Sequence, residues 1–255
     1  MNPVQIIHRP PFIIHHYPTL GSTNDQLKQM TDAPEFTCVT ADAQTAGRGR
    51  RDRIWHSAPG DGLYLSVLLR PLLAPERIPL LSLTCAVAVN ETIAHYNPAG
   101  TDIKWPNDVL VNERKLSGIL IEGIAGADTP RIIVGIGVNL NHRDFPAELA
   151  QIATSLAIEC GRQIAVAEFR DRLLVSLARW YETLRHGNGH LILNRWQQLS
   201  SYAHGKSIVV TLDDEQISGV TTGLTESGAL LVRTASGATR TIIAGEVSRL
   251  RSDDE

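Results

Sequence analysis

Four strand-like runs follow one another closely in the middle of the chain, and their spacing limits the folds that the chain can adopt. The runs are residues 101–105, 108–112, 117–124 and 131–140. Pro106-Asn107 and Glu113-Arg114 separate the first three runs, and both pairs favour turns. Parallel strands need long crossover connections, for which these gaps leave no room. The sequence therefore predicts an α+β domain with a mixed, largely antiparallel sheet.

Helices and further strands are predicted on both sides of this region. Residues 19–31 have a capping-box pattern at Thr23 and Gln26, with Ser22 and Asn24 as competing N-caps. Apolar residues at helical spacing predict a long amphipathic helix from Phe169 to Leu184. The other predicted helices are residues 78–96 and 190–202, and the other predicted strands are 37–41 and 63–70.

The pattern of residue types along the chain changes at Gly205. From there, short β-rich runs alternate with turn sequences, which is typical of a small all-β barrel. We therefore expect two domains, residues 1–204 and residues 205–255.

Composition excludes several classes of protein. A formal net charge of -3 argues against broad coating of nucleic acid, although a local basic patch is allowed. The three cysteines are far apart and form no CxxC pair, so a disulfide framework or a zinc site is not expected. The longest apolar stretch, residues 78–89, is interrupted by polar residues and is too short to span a bilayer. No secretory signal is recognisable, and the expected location is the cytoplasm.

Residues 47–53 form a basic loop with four arginines and two glycines, and such a loop is typical of anion binding. The loop lacks the third glycine of a dinucleotide fingerprint. Gly205-Lys206-Ser207 resembles the end of a P-loop, but the motif needs a glycine five positions before Gly205, where this chain has Ser200. A Rossmann enzyme and a Walker-type NTPase are therefore both disfavoured.

Further polar residues occur at strand ends. Residues 104–108 place a lysine, a tryptophan, an amide and a carboxylate around a turn, Lys115 begins a strand, and Asn139 ends another. Taken alone, Asn107-Asp108 fits a plain hairpin turn, and Lys115 fits a solvated strand end.

Together these segments resemble the biotin protein ligases, in the order in which that family carries them. The matching motifs are Ser22-Thr23-Asn24, Gln44-Thr45-Ala46-Gly47-Arg48-Gly49-Arg50-Arg51, Lys104-Trp105-Pro106-Asn107-Asp108, Lys115-Leu116-Ser117-Gly118-Ile119-Leu120 and Gly137-Val138-Asn139. The resemblance covers roughly residues 12–250. One departure is Asp52, where the family commonly has a glycine.

The resemblance implies a class II synthetase-like catalytic domain with an SH3-like barrel after it. It implies a biotin–[acetyl-CoA-carboxylase] ligase that uses ATP and Mg²⁺. Biotin is first activated as biotinyl-5′-AMP and then joined to a lysine of a biotin carboxyl carrier domain. Because an anion attacks an anion in the first step, cations and a metal ion must offset the repulsion.

The resemblance also assigns roles to individual residues. Lys115 and Arg50 are the expected catalytic residues. The residues expected to bind biotin are Ser22, Thr23, Asn24, Gln44, Gly47, Arg48, Gly49, Arg50, Lys115 and Gly118. Those expected to bind ATP or the adenylate are Arg48, Arg50, Arg51, Trp55, Lys104, Asn107, Asp108, Lys115 and Asn139. Trp55 fits a core aromatic equally well. Mg²⁺ is expected mainly on the ATP phosphates, with Asp108 as the candidate protein ligand.

Some expectations concern partners and motion. The residues before Ser22 are too few for a helix-turn-helix domain, so DNA binding is not expected. A homodimer is compatible with the resemblance, which does not fix the oligomeric state. The glycines and mutually repelling arginines predict that residues 47–54 become ordered when ligand binds.

Two other functions remain open from the residues alone. A lipoate or octanoate ligase or transferase would have a similar catalytic domain. A non-catalytic module could grip nucleic-acid phosphates with Arg48–Arg53, but it would have no need of Lys115, Asn139 or Ser22–Asn24.

Overall fold

A computed structural model describes residues 5–96, 100–124, 130–212 and 215–249, and an eight-stranded sheet forms its centre. The strands are β1 (Gln5–Arg9), β2 (Phe12–Leu20), β3 (Thr37–Gln44), β4 (Gly62–Leu69), β5 (Thr101–Lys104), β6 (Asp108–Val111), β7 (Arg114–Ile124) and β8 (Arg131–Asn139). Their order across the sheet is β1-β2-β3-β4-β8-β7-β6-β5. Only the β2–β3 pair is parallel among these described strands.

Helices cover the two faces of this sheet unequally. They are α1 (Thr23–Gln29), α2 (Pro79–Tyr96), α3 (Leu156–Cys160), α4 (Val166–Arg185) and α5 (Gly189–Leu199). The apolar helix α2 packs between the sheet, α4 and α5, in the larger core. Helix α1 packs through Leu27 on the opposite face, in a smaller core. Much of that opposite face is left open for a site.

A second sheet follows and packs against the first unit. Its strands are β9 (His204–Thr211), β10 (Gln216–Leu224), β11 (Leu230–Thr234), β12 (Thr239–Ile242) and β13 (Glu246–Arg249), in the order β12-β11-β10-β9-β13. The indole Nε1 of Trp105 donates to the Gly228 carbonyl at 3.0 Å. A Cβ at Gly228 would lie 2.9 Å from Leu83, which shows how closely this sheet approaches α2.

The predicted α+β fold with a C-terminal β unit is confirmed, whereas several local predictions are wrong. The helix predicted at 19–31 begins at Thr23, because residues up to Leu20 belong to β2. Ser22 is its N-cap and accepts from the Asp25 amide, so Thr23 is not the cap. Strands β1, β2 and β13 and helix α3 were not predicted from the sequence.

Helix α2 also corrects the argument about membrane spans. Residues Pro75–Tyr96 form the one helical stretch within the described ranges that is long and apolar enough to cross a bilayer. The expectation that the apolar stretch is too short is wrong, because the helical stretch extends beyond residues 78–89 at both ends. Since 67% of that window is buried inside the protein, the stretch has the character of a core helix.

Candidate active site

The site begins with a row of glycines on the open face of the sheet. In the register of β4, β8 and β7, Gly137 lies between Tyr64 and Gly118. A Cβ at Gly137 would lie 2.4 Å from the Trp55 ring, and one at Gly118 would lie 3.0 Å from it. The two glycines therefore make a shallow trough, and the Trp55 indole lies directly on it.

One cavity extends over this trough and brings the predicted residues together. Every residue assigned above to biotin or ATP lines this cavity, with the exception of Gly47. Gly47 lies just behind the wall, where a Cβ would be 2.6 Å from the Trp55 carbonyl oxygen. Only a residue without a side chain at position 47 therefore allows the segment that carries Trp55 to approach this closely.

A neutral hydrogen-bonding recess occupies one end of the cavity. The backbone amide and hydroxyl of Thr23 both donate to Gln44 Oε1, at 2.8 and 3.1 Å. Gln44 Nε2 donates to Ser57 Oγ at 2.9 Å, which fixes the orientation of the amide. Ser66 Oγ lies 2.8 Å from Thr23 Oγ1 and also contacts Asn24 Oδ1. These groups suit a neutral polar ligand better than an ion.

Cations gather at the other end. Lys115 Nζ lies 2.7 Å from Asp108 Oδ1 and 5.5 Å from the centroid of the Trp55 ring. Arg50 donates to Asn107 Oδ1 at 3.2 Å, and Asn107 Nδ2 donates to the Ile119 carbonyl at 2.7 Å. The turn between β5 and β6 thus orients Arg50, while Asp108 holds Lys115.

Two of these cations are in surroundings that disfavour their charge. Burial lowers the pKa of Lys104 from its ordinary value, and the nearby Asp108 carboxylate opposes this effect only in part. Burial likewise lowers the pKa of the Arg50 guanidinium, again against the attraction of Asp108. An anionic ligand would restore the balance, so this end of the cavity suits phosphate or carboxylate groups.

The basic loop is tethered at both ends of its arginine run. Arg48 donates to Asp25 Oδ1 at 2.5 Å beside α1. At the other end Arg53 forms a close ion pair with Glu246 of β13, and Arg51 donates to the Thr211 carbonyl at 3.4 Å. Arg51 adopts a left-handed backbone conformation (φ 54°), which is costly for a residue with a side chain. The side chain of Asp52 lies outside the described part of the structure.

Asn139 has a structural contact as well as a place in the cavity wall. Its Nδ2 donates to the Thr154 carbonyl at 3.1 Å, and the residue is buried. Lys115 is tied to the same segment, since its amide donates to the Ile152 carbonyl at 2.8 Å. The ends of β7 and β8 are therefore held together near the cations.

Some site residues were not predicted from the sequence. Ser66 interrupts the apolar β4, and Glu122 follows an apolar run in β7, so each was visible as an isolated polar residue in a strand. Glu246 comes from the second sheet and contacts the loop from 193 positions away, which no local pattern could show.

A neutral recess joined to a cluster of cations, on the open face of a largely antiparallel sheet, defines a binding site for a ligand that has both a neutral polar group and anionic groups. Comparison with known proteins narrows the class of protein. Residues 18–139 match the Biotin/lipoate A/B protein ligase family, and residues 203–250 match the Biotin protein ligase C terminal domain.

Individual relatives agree with these matches. The chain is 39% identical over 235 residues to the bifunctional ligase/repressor BirA of Bacillus subtilis (strain 168). This match covers 88% of this chain and 70% of that protein. It is 34% identical over 223 residues to the biotin–[acetyl-CoA-carboxylase] ligase of Paracoccus denitrificans, covering 85% and 92% respectively.

A solved structure shows the same fold. The biotin protein ligase from Aquifex aeolicus in complex with biotin and ATP superposes with a TM-score of 0.81 at 30% identity, covering 94% of this chain and 99% of that one. The chain therefore belongs to the biotin protein ligase family.

Proposed function

We propose that this protein is an ATP-dependent biotin–[acetyl-CoA-carboxylase] ligase. The observation that carries the proposal is one cavity in which a neutral recess adjoins Arg50, Lys104 and Lys115. The Paracoccus denitrificans and Aquifex aeolicus relatives reported above are named as biotin ligases, so they support this assignment over lipoate or octanoate transfer.

The recess fits the ureido head of biotin. Ser22, Thr23, Asn24 and Gln44 offer hydroxyl and amide groups there, and burial raises the cost of leaving such groups unpaired. The Trp55 indole, which packs on the glycines of the trough, would offer an apolar surface along which the alkyl tail lies. The carboxylate at the end of that tail then reaches the cations.

The cations would carry the first chemical step. A carboxylate oxygen of biotin attacks the α-phosphorus of ATP, the bond to the β-phosphate oxygen breaks, and pyrophosphate leaves. Arg48, Arg50 and Lys115 offset the repulsion between the two anions and the charge that develops as the bond forms. Asn107 orients Arg50, and Lys104 adds a further charge on the phosphate side.

The second step forms the amide. The lysine amine of the carrier attacks the acyl carbon, AMP leaves with the electrons of the broken C–O bond, and the amine loses a proton. The acceptor that we propose is a biotin carboxyl carrier domain.

Mg²⁺ fits the residues at the phosphate end in a limited way. Mg²⁺ at nucleotide sites is held by one or two carboxylates together with phosphate oxygens. Asp108 supplies such a carboxylate, and the described residues contain no cluster of three or more metal-binding side chains. Mg²⁺ would therefore be held mainly by ATP, where it would neutralise phosphate charge.

The same proposal extends to organisation and location. We place the catalytic domain at residues 1–204 and the barrel at 205–255, in a cytoplasmic protein that is compatible with homodimer formation. In this proposal the β1–β2 hairpin, which precedes Ser22, has no role in DNA binding.

Pyrophosphate exchange into ATP tests the activity. Exchange should depend on biotin, and lipoate should not replace it. Addition of a biotin carboxyl carrier domain should then give biotin bound to one lysine. Exchange with lipoate alone, or no exchange with either acid, would overturn the assignment.

The role of Lys115 has its own test. Replacing Lys115 by Met removes the cation facing the reacting groups, and the exchange rate should fall by about 10²–10³-fold. Arg at this position should not restore the rate, because a guanidinium cannot replace a compact ammonium ion beside Asp108. Lys206→Met, on β9 and outside the cavity, is the matched control. A rate within a few fold of wild type for Lys115→Met would contradict the role.

A further inference from the structure

Glu122 lies on the site face of β7, beyond the glycine of the trough. Alternate residues of a strand share a face, so Glu122 points to the same side as Gly118 and Leu120. Both of those residues line the cavity. Glu122 itself is mostly buried, with 22% of its side chain exposed.

Three side chains from two other elements converge on this carboxylate. Asn24 Nδ2 donates to Oε2 at 2.6 Å, and Lys28 Nζ donates to Oε1 at 2.7 Å, both from α1. Arg48 of the basic loop reaches both oxygens at 3.4 Å. Glu122 therefore joins the start of α1, the basic loop and β7 at one point.

The contact with Arg48 leaves much of the guanidinium available. Its bonds to Asp25 and to Glu122 all use the same nitrogen, Nη2. The Nε and Nη1 groups are not used by this cluster, so two carboxylates hold one corner of the guanidinium and set its direction. A guanidinium fixed in this way loses less conformational freedom when it binds an anion.

The contact with Asn24 has a similar effect on the recess. The Asn24 amide accepts from Ser66 Oγ through Oδ1 and donates to Glu122 through Nδ2. These two partners distinguish the two ends of the amide. Without the carboxylate, nothing among these contacts would hold Nδ2 in its present direction.

We propose that Glu122 is a positioning residue for biotin binding, which aims Asn24 at the head group and Arg48 at the carboxylate. The proposal rests on the ligase function proposed above. Glu122 touches neither reacting atom and acts through its two partners.

The charge state of Glu122 agrees with this role. Burial alone would raise the pKa of this carboxyl, but the hydrogen bonds from Lys28 and Asn24 and the nearby Arg48 outweigh it and lower the pKa. The carboxylate is therefore ionised at neutral pH and able to accept all three donors.

Glu122→Gln keeps the size of the side chain and removes its charge. The KM for biotin in pyrophosphate exchange should rise by about tenfold, because hydrogen bonds to a charged acceptor are lost. The KM for ATP should rise less than the KM for biotin, and Glu122→Asp should recover part of the loss.

The matched control is Glu91→Gln. Glu91 is on α2, has 18% of its side chain exposed, and binds four donors, those of Ser176, Arg179, Trp180 and Arg195. It lies outside the cavity wall, so this change should lower thermal stability without raising the KM for biotin.

A double-mutant cycle with Arg48→Gln shows whether Glu122 acts through Arg48. Positioning predicts that Glu122→Gln raises the KM much less once Arg48 is absent. Additive effects, or an unchanged KM for biotin in Glu122→Gln, would overturn the proposal while the wild-type enzyme remained active. Absence of exchange in the wild type would instead refute the ligase function itself.

Discussion

At the scale of single residues, the missing side chain of Gly137 decides what the trough can hold. A methyl group there would overlap the Trp55 ring, with 2.4 Å between the carbons. We expect Gly137→Ala to displace the indole and raise the KM for biotin at least about tenfold, with a loss of stability of about 1–3 kcal/mol. Exchange kinetics and thermal unfolding measure the two effects.

Gly123→Ala is the control for this change. Gly123 lies on the neighbouring strand β7, and a Cβ there would meet nothing within 4 Å. The control should therefore keep the wild-type KM and stability. Equal behaviour of the two variants would show that the indole is not confined by the trough.

Single residues also show which parts of the site could be identified from the sequence. Motif order was enough to select Lys115, Arg50, Asn107 and Gln44, and all of them line one cavity. Ser66 and Glu122 lie outside those motifs, and their roles depend on which side chains approach from α1 and the basic loop. Such contacts join residues 42 or more positions apart, so periodicity and spacing carry no trace of them.

At the scale of secondary-structure elements, the basic loop is held to the second sheet by the Arg53–Glu246 ion pair. Loss of this pair should leave the loop freer to open. Glu246→Gln is therefore expected to increase the hydrogen exchange of amides in residues 48–54 by several fold. Biotin together with ATP should reduce this difference, because a bound anion supplies a second partner for the arginines.

Glu215→Gln is the control for the loop experiment. Glu215 forms an ion pair with Arg240 at 2.6 Å within the second sheet, and neither residue lines the cavity. This variant should leave exchange in residues 48–54 unchanged. If Glu246→Gln also leaves it unchanged, the ion pair does not restrain the loop.

Local signals explain which elements were predicted correctly. The turn residues between β5, β6 and β7 give clear strand boundaries, and a hydrophobic stripe marks α4. In contrast, β2 has apolar residues on both sides of its histidines, so it lacks a clear alternating pattern. It also pairs with β3 in parallel, and no tight turn in the sequence indicates such a pairing. The helix predicted at residues 19–31 began too early along the chain, because β2 ends at Leu20 and runs almost directly into α1.

At the scale of the whole molecule, net charge hides where the charges are placed. The chain carries -3 overall, yet Arg50 and Lys104 share one partly buried end of the cavity with Lys115. Composition could exclude a broadly basic protein, but it could not show this local excess. Folding brings these cations together at a cost, which an anionic ligand can offset.

Lys104 makes that cost measurable through the stability of the entire protein. Because its pKa is lowered by folding, the folded protein releases the proton at a lower pH than the unfolded chain does. Between the two pKa values the unfolded chain binds more protons, so the free energy of unfolding rises with pH there. We expect Lys104→Met to be more stable than the wild type at neutral pH and to lack this rise, as urea unfolding from neutral to alkaline pH would show.

The same Lys104→Met variant should gain less thermal stability from added ATP, since it lacks a cation that the phosphates would neutralise. Lys206→Met, outside the cavity, should keep both the alkaline rise and the full response to ATP. If Lys104→Met also keeps both, then the charge of Lys104 is already balanced by Asp108 and Glu246, and the phosphate end of the cavity does not depend on it.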